Sequence, residues 1–167
     1  MRLGLQQTAI AGVVLMATLL ATKPALAHFR PAEFGLWYPL IDNDLLSRLD
    51  RLREAWGSAI SISPVQGGVG RADDTDSQHN VIHTLGAVRA VDVFPAVAGA
   101  PLIDPGDIIR FVELAKRAGF TGIGVYRDTT FQGVDWTMIH LDVRPAERIA
   151  TWARIDGTYT SIDEGYR

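Results

Sequence analysis

Two short stretches hold three of the chain's four histidines and set them beside aspartates: DSQHNVIHTLGAVRAVDVF, residues 76–94, and DWTMIHLDVRP, residues 135–145. Asp92 sits inside the apolar run Val88-Arg89-Ala90-Val91-Asp92-Val93-Phe94, and His140 inside Met138-Ile139-His140-Leu141. In a strand, residues two apart share a face, so His140 and Asp142 point the same way. A carboxylate buried among apolar neighbours is costly unless it is paired, protonated or bound to a cation. Two imidazoles and one carboxylate with a fourth position left open form a common catalytic zinc shell. The chain has no cysteine, so histidine and carboxylate must supply any metal ligands. The residues leave an alternative open: Asp92 pairs with Arg89 or another arginine, and His140 is a hydrogen-bonded core histidine.

Several elements must position these groups. Asn43-Asp44 can cap a helix, whose apolar positions Leu45, Leu46, Leu49, Leu52 and Trp56 recur at helical spacing before Gly57 ends it. Pro105 and Asp107 open a second helix, with Ile108, Phe111, Val112, Ala115 and Ala118 as its stripe and Gly119 as its stop. Strands are predicted over 59–63, 88–94, 122–126 and 137–143. The turn-rich GGVGRADDTDS, residues 67–77, reads as a loop. A helical turn is expected after Pro31. The tail from Pro145 has a mixed pattern, with Trp152 packing on the body. This order of elements predicts an α+β domain.

The beginning of the chain reads differently. Arg2 is followed by no charge until Lys23, the apolar core Ala9 to Ala21 is shorter than the roughly 20 residues of a membrane span, and Ala25-Leu26-Ala27 is a small-x-small pattern. Residues 1–27 are predicted to be a secretory signal peptide cut after Ala27, with an uncleaved anchor as the alternative. The expected mature domain, 28–167, is then secreted or periplasmic, a monomer, with no membrane anchor. Cleavage removes two cations and no acid from a chain whose formal charge is already −3. An acidic chain without a Lys/Arg cluster is a poor nucleic-acid binder.

Ser77-Gln78-His79, Gly86, Ala90 and Asp92 resemble the Ser-x-His … Gly … Ala-x-Asp motif of the zinc D-alanyl-D-alanine carboxypeptidase family. That family includes L-alanyl-D-glutamate endopeptidases and shares its fold with the hedgehog signalling domain. His140-Leu141-Asp142 resembles its second motif, and Gly122-Ile123-Gly124-Val125-Tyr126 the glycine-rich segment before it. The resemblance spans most of residues 29–152. It implies a hedgehog/DD-peptidase-like fold with a small antiparallel sheet and flanking helices. It also implies Zn2+ held by His79, Asp92 and His140, and hydrolysis of peptidoglycan stem peptides.

The chain departs from the pattern in three places. The segment from His79 to Asp92 is lengthened, so His83, nearer the family's spacing and followed by Gly86, is a rival ligand. Thr137 stands where many members carry an acid, which makes Asp135 the nearest upstream candidate for a proton shuttle; Asp142 is the candidate to orient a ligand imidazole. No arginine follows the first strand, so Arg71 is the candidate for binding a substrate carboxylate. A non-catalytic zinc-stabilised wall-binding domain and a phage lysis endopeptidase with a releasable anchor are the alternative functions.

Overall fold

A computed structural model describes residues 22–72 and 76–162. Most of the expected export segment, residues 1–21, lies outside the described residues. After a 3-10 segment, Pro31–Leu40, which bends at Gly35, comes helix α1, Asn43–Trp56. Its cap is Asp42, one residue before the pair expected to cap it, and the Asp42 carboxylate accepts from the Asp44 amide. Helix α2, Pro105–Ala118, is capped by Asp104, which accepts from the Gly106 and Asp107 amides. Gly57 and Gly119 end the two helices at φ 70° and 99°, the left-handed conformation glycine adopts most readily.

The strands are β1 (Ile60–Ile62), β2 (Ala90–Val97), β3 (Ala100–Pro101), β4 (Gly122–Tyr126), β5 (Thr130–Phe131), β6 (Val134–Asp135), β7 (Met138–Asp142), β8 (Ala150–Ile155) and β9 (Thr158–Thr160). The main sheet runs β1-β2-β7-β4-β8-β9, with β3 added to β2, and β5 and β6 form a separate hairpin. All pairs are antiparallel except β4 with β8. The chain is therefore α+β with a mostly antiparallel sheet.

Period-two alternation divides the sheet into two faces. Val91, Val93, Ile123, Val125, Ile139 and Leu141 join Leu45, Leu49, Leu52, Ile108, Phe111 and Val112 in one buried cluster. Trp56 of α1 meets Phe111 of α2 edge to face at 5.0 Å. The opposite face carries Asp92, Tyr126, His140, Asp142 and Trp152. The central strand β7 lies between β2 and β4, so His140 is registered opposite Asp92 on one side and Gly124 on the other.

The tail is more regular than its pattern suggested. Residues 150–155 form β8, which pairs in parallel with β4 and folds back on β9. Ala150-Thr151-Trp152-Ala153-Arg154-Ile155 has no apolar alternation, and a partner far away in the chain supplies the ladder. Strand β2 also runs past Phe94 through Pro95. Pro95 stays on the ladder to β1, opposite Ile60, and its carbonyl accepts from Trp136 Nε1 at 2.6 Å. Residues 22–28 lie along α1, where the amides of Ala27 and His28 donate to the two carboxylate oxygens of Asp50 at 2.9 and 2.8 Å.

Two glycines on the site face are required by contact. A Cβ at Gly122 would run into the Asp142 carboxylate, and one at Gly124 into the Trp152 indole. Gly124→Ala is expected to destabilise the protein by about 1–3 kcal/mol, the usual cost of overpacking, seen as a lower denaturant midpoint with an unchanged slope. An unchanged midpoint would mean that Trp152 moves aside freely.

Candidate metal centre

His79 is brought to the sheet by a loop that is tied down at several points. The Ser77 hydroxyl accepts from the His79 amide at 3.2 Å, a local side-chain turn of the kind serine favours. The His79 carbonyl accepts from the Arg71 amide, and the Gln78 carbonyl from the Arg89 amide just before β2. The Asp92 amide in turn donates to the Gly68 carbonyl at 2.7 Å. The loop thus closes over the same strand that carries Asp92.

The three groups meet at one point. His79 Nε2 lies 3.1 Å from His140 Nδ1, His140 Nδ1 lies 3.0 Å from Asp92 Oδ1, and His79 Nε2 lies 3.4 Å from Asp92 Oδ1. The far nitrogen of each ring is already committed. His79 Nδ1 is 2.8 Å from the Val69 carbonyl, and a carbonyl can only accept, so Nδ1 carries the proton. His140 Nε2 is 3.0 Å from Asp142 Oδ2, and by the same reasoning donates to it. His79 Nε2 and His140 Nδ1 therefore present lone pairs to each other and to the Asp92 carboxylate. Three acceptors this close, on side chains that are largely buried, favour a shared cation.

A metal ion would be such a cation. A tetrahedral shell with bonds of about 2.0–2.1 Å has donor–donor edges of roughly 3.3–3.4 Å, close to the three edges seen here. The His79–Asp92–His140 group could hold a metal ion. Each imidazole also has the outer partner that metal-binding histidines commonly have, a backbone carbonyl for His79 and a carboxylate for His140. Asp142 is fully buried and is itself held by Arg144, whose Nε donates to both carboxylate oxygens at 2.8 and 2.9 Å.

The electrostatics without a metal follow from the same contacts. Burial alone would raise the Asp92 carboxyl, but the His140 and His79 imidazoles beside it outweigh this and hold it well below the ordinary carboxylate range. Burial likewise opposes ionisation of Asp142, and Arg144 and His140 hold it below that range. Burial would lower His140, but Asp142 and Asp92 overcome it and raise its pKa above the ordinary histidine value. A proton on His140 is thus the substitute cation in the metal-free protein.

The other expected site residues are distributed as follows. His83 is exposed, with Nε2 3.5 Å from the Gln78 amide nitrogen, and it does not join the group. Asp135 is exposed on β6, paired with Thr130; Thr130 lines the cleft above the centre and Asp135 does not. Arg71 lines that cleft, a space of about 1420 Å³ over the site face. Thr137 is buried, and its amide donates to the Leu102 carbonyl. Tyr126 and Arg144 also belong to the site, although neither stands in a metal-ligand or acid–base pattern along the chain. Tyr126 was detectable: Gly122, Gly124 and Tyr126 alternate along a strand, so all three share the face of His140 once β4 and β7 pair.

One metal ion per chain is expected. His79→Ala and Asp92→Ala should each abolish tight binding, while His83→Ala should keep it, as read by metal analysis after dialysis. Retention of stoichiometric metal by His79→Ala would overturn the assignment.

The metal should also change how stability depends on pH. The raised His140 pKa contributes stability below the ordinary value of 6.5 and loses it as pH rises through the folded value. The depressed Asp92 and Asp142 values contribute stability above the ordinary 3.8 and lose it only as pH falls through the depressed values. The chelated protein should therefore lose melting temperature on the alkaline side. A bound ion replaces the proton, so the gap between loaded and chelated proteins should widen from about pH 6 to pH 8.5 as metal affinity rises; a constant gap by calorimetry would count against the centre. In comparisons with protein-family models, curated proteins and solved structures, nothing matches this chain.

Proposed function

We propose that the protein is an exported zinc peptidase of the hedgehog/DD-peptidase type that hydrolyses peptidoglycan stem peptides. The observation that carries the reading is the convergence of His79 Nε2, His140 Nδ1 and Asp92 Oδ1 on one point at the floor of an open cleft. Two imidazoles and one carboxylate, with room for a fourth partner on the cleft side, suit zinc in its catalytic form. A zinc ion there would polarise a scissile carbonyl and lower the pKa of a bound water to about 7.

The chain's own groups do the rest. Val69 and Asp142 fix the tautomer and orientation of the two rings. Trp37, Val65, Tyr126 and Thr130 are among the residues lining the cleft, and an extended peptide is the ligand assigned to it. Arg71 and Arg154 both line the cleft; Arg154 is held by Asp128, and Arg71 is the one assigned to a substrate carboxylate. Asp135, the acid expected to shuttle the proton, is exposed on β6 outside the cleft lining, so direct proton transfer is not assigned to it. Among the described residues, the carboxylates that line the cleft are Asp92 and Glu33, and Glu33 is already bonded to the Arg30 amide and the Arg53 guanidinium.

Export is part of the same reading. Cleavage after Ala27 would turn the His28 nitrogen, 2.8 Å from Asp50 Oδ1, into an ammonium held by charge. Among the described residues no helix is long and apolar enough to cross a membrane. A second reading, a metal-stabilised wall-binding domain without turnover, is favoured by one observation: buried Thr137 occupies the position where the resemblance would put an acid.

Mass analysis of digested sacculi tests the proposal. The zinc-loaded protein should shorten or cut stem peptides, chelator should stop it, added zinc should restore it, and His140→Ala should be inactive. In the same assay Asp135→Asn, an exposed change outside the cleft lining, should lose less than about tenfold; general acid–base groups in direct contact typically contribute about 10²–10⁴. Stoichiometric zinc with an unchanged peptide profile would sink the enzyme reading and leave the binding domain.

A further inference from the structure

Tyr126 belongs to the site face but has no part in the metal centre. It lies two residues from Gly124, which is registered opposite His140. Diagonal neighbours of this kind are about 7–8 Å apart, within reach of an aromatic side chain. Tyr126 lines the same cleft as His79, Asp92 and His140. Gly124 leaves the floor between them open, and the Trp152 indole fills it, 5.4 Å from the His140 ring. His140, Trp152 and Tyr126 thus form a continuous row.

The row fixes what the phenol can do. Trp152 Nε1 donates to the Tyr126 hydroxyl oxygen at 3.0 Å. An indole N–H is a donor only, so the phenol oxygen accepts here and its own proton must go elsewhere. Its ring is held from two further sides, by the Arg154 guanidinium at 4.8 Å and the Tyr159 ring edge-on at 6.3 Å. Arg154 is itself fixed by Asp128 at 2.9 Å. Burial, with a hydrogen bond to the Tyr159 side chain added, pushes the Tyr126 phenol up to about 12, so it keeps its proton across the neutral range; Tyr159 is exposed and lines the same cleft, so a bound peptide can take its place as acceptor.

We propose that the Tyr126 hydroxyl is the hydrogen-bond donor to the carbonyl oxygen of a peptide bound over the His79–Asp92–His140 group, held for that task by the Trp152 indole. The assignment rests on the peptidase reading above. A preorganised donor aimed at an oxygen that gains negative charge typically contributes about 10²–10³ in kcat. No covalent step falls to Tyr126, and its proton is shared without being transferred.

Tyr126→Phe in the zinc-loaded full chain tests this, with a phosphinic analogue of D-alanyl-D-alanine as the probe and titration calorimetry as the readout. The variant should hold zinc at the wild-type ratio. Its affinity for the phosphinate should fall about 10–100-fold, the size expected for losing a hydrogen bond to a charged group. On stem peptides kcat should fall about 10²–10³-fold while KM stays within about threefold. Trp152→Phe, which keeps a ring but removes the indole N–H, should weaken the phosphinate in the same direction and by less. Equal phosphinate affinity in Tyr126→Phe and wild type overturns the proposal, as does unchanged kcat. Tyr126-dependent phosphinate binding by a wild-type protein that cuts no wall peptide would sink the peptidase reading and leave the donor role of the hydroxyl standing.

Discussion

Three hydrogen-bond acceptors share one small space at the floor of the cleft, and much of the site face is organised around that fact. His79 Nε2, His140 Nδ1 and Asp92 Oδ1 stand 3.0 to 3.4 Å apart, and each imidazole has spent its N–H on another partner. Without a cation the arrangement repels itself. A proton on His140 relieves it partly, because it can be shared along only one or two of the three edges. An ion bonded to all three donors would engage the lone pair that each turns inward, and the His79–Asp92–His140 group could hold one.

The sheet supplies the rigidity such a point needs. His140 is on the central strand, flanked by β2 and β4, and Asp92 is its direct cross-strand neighbour. Two of the three donors are therefore fixed by backbone ladders, and only His79 depends on a loop. That loop is bonded back to the strand it must meet, through Arg89 to Gln78 and through Asp92 to Gly68. The helices pack on the opposite face, so the core that stabilises the domain and the groups that would do its chemistry share strands without sharing space. A buried Asp142, clamped by Arg144, lies beneath His140 and holds the ring in one tautomer.

The glycines of β4 connect this centre to the cleft. Gly122 makes room for the Asp142 carboxylate and Gly124 for the Trp152 indole. A strand with side chains at both positions would displace the group that orients His140 and the indole that holds Tyr126. Nothing about backbone flexibility is needed at these two positions, since what matters is the missing Cβ.

The sequence by itself determined what periodicity controls. The stripes Leu45-Leu49-Leu52 and Ile108-Phe111-Val112-Ala115 specified two helices, and two-residue alternation put His140 and Asp142 on one face before any partner was known. Asp92 was legible as a carboxylate that needed company, because its immediate neighbours in the strand, Val91 and Val93, are apolar. Where periodicity is absent, only the tertiary structure decided. His79 and His83 both lie in a stretch without regular spacing, and the choice between them came from the bonds that draw His79 under the cleft and leave His83 in solvent. Strand β8 lacks an alternating pattern of its own and exists through its pairing with β4. Tyr126 took on meaning only when β4, β7 and β8 came together, because a neighbour across a sheet is set by register between distant segments and not by any local run of residues.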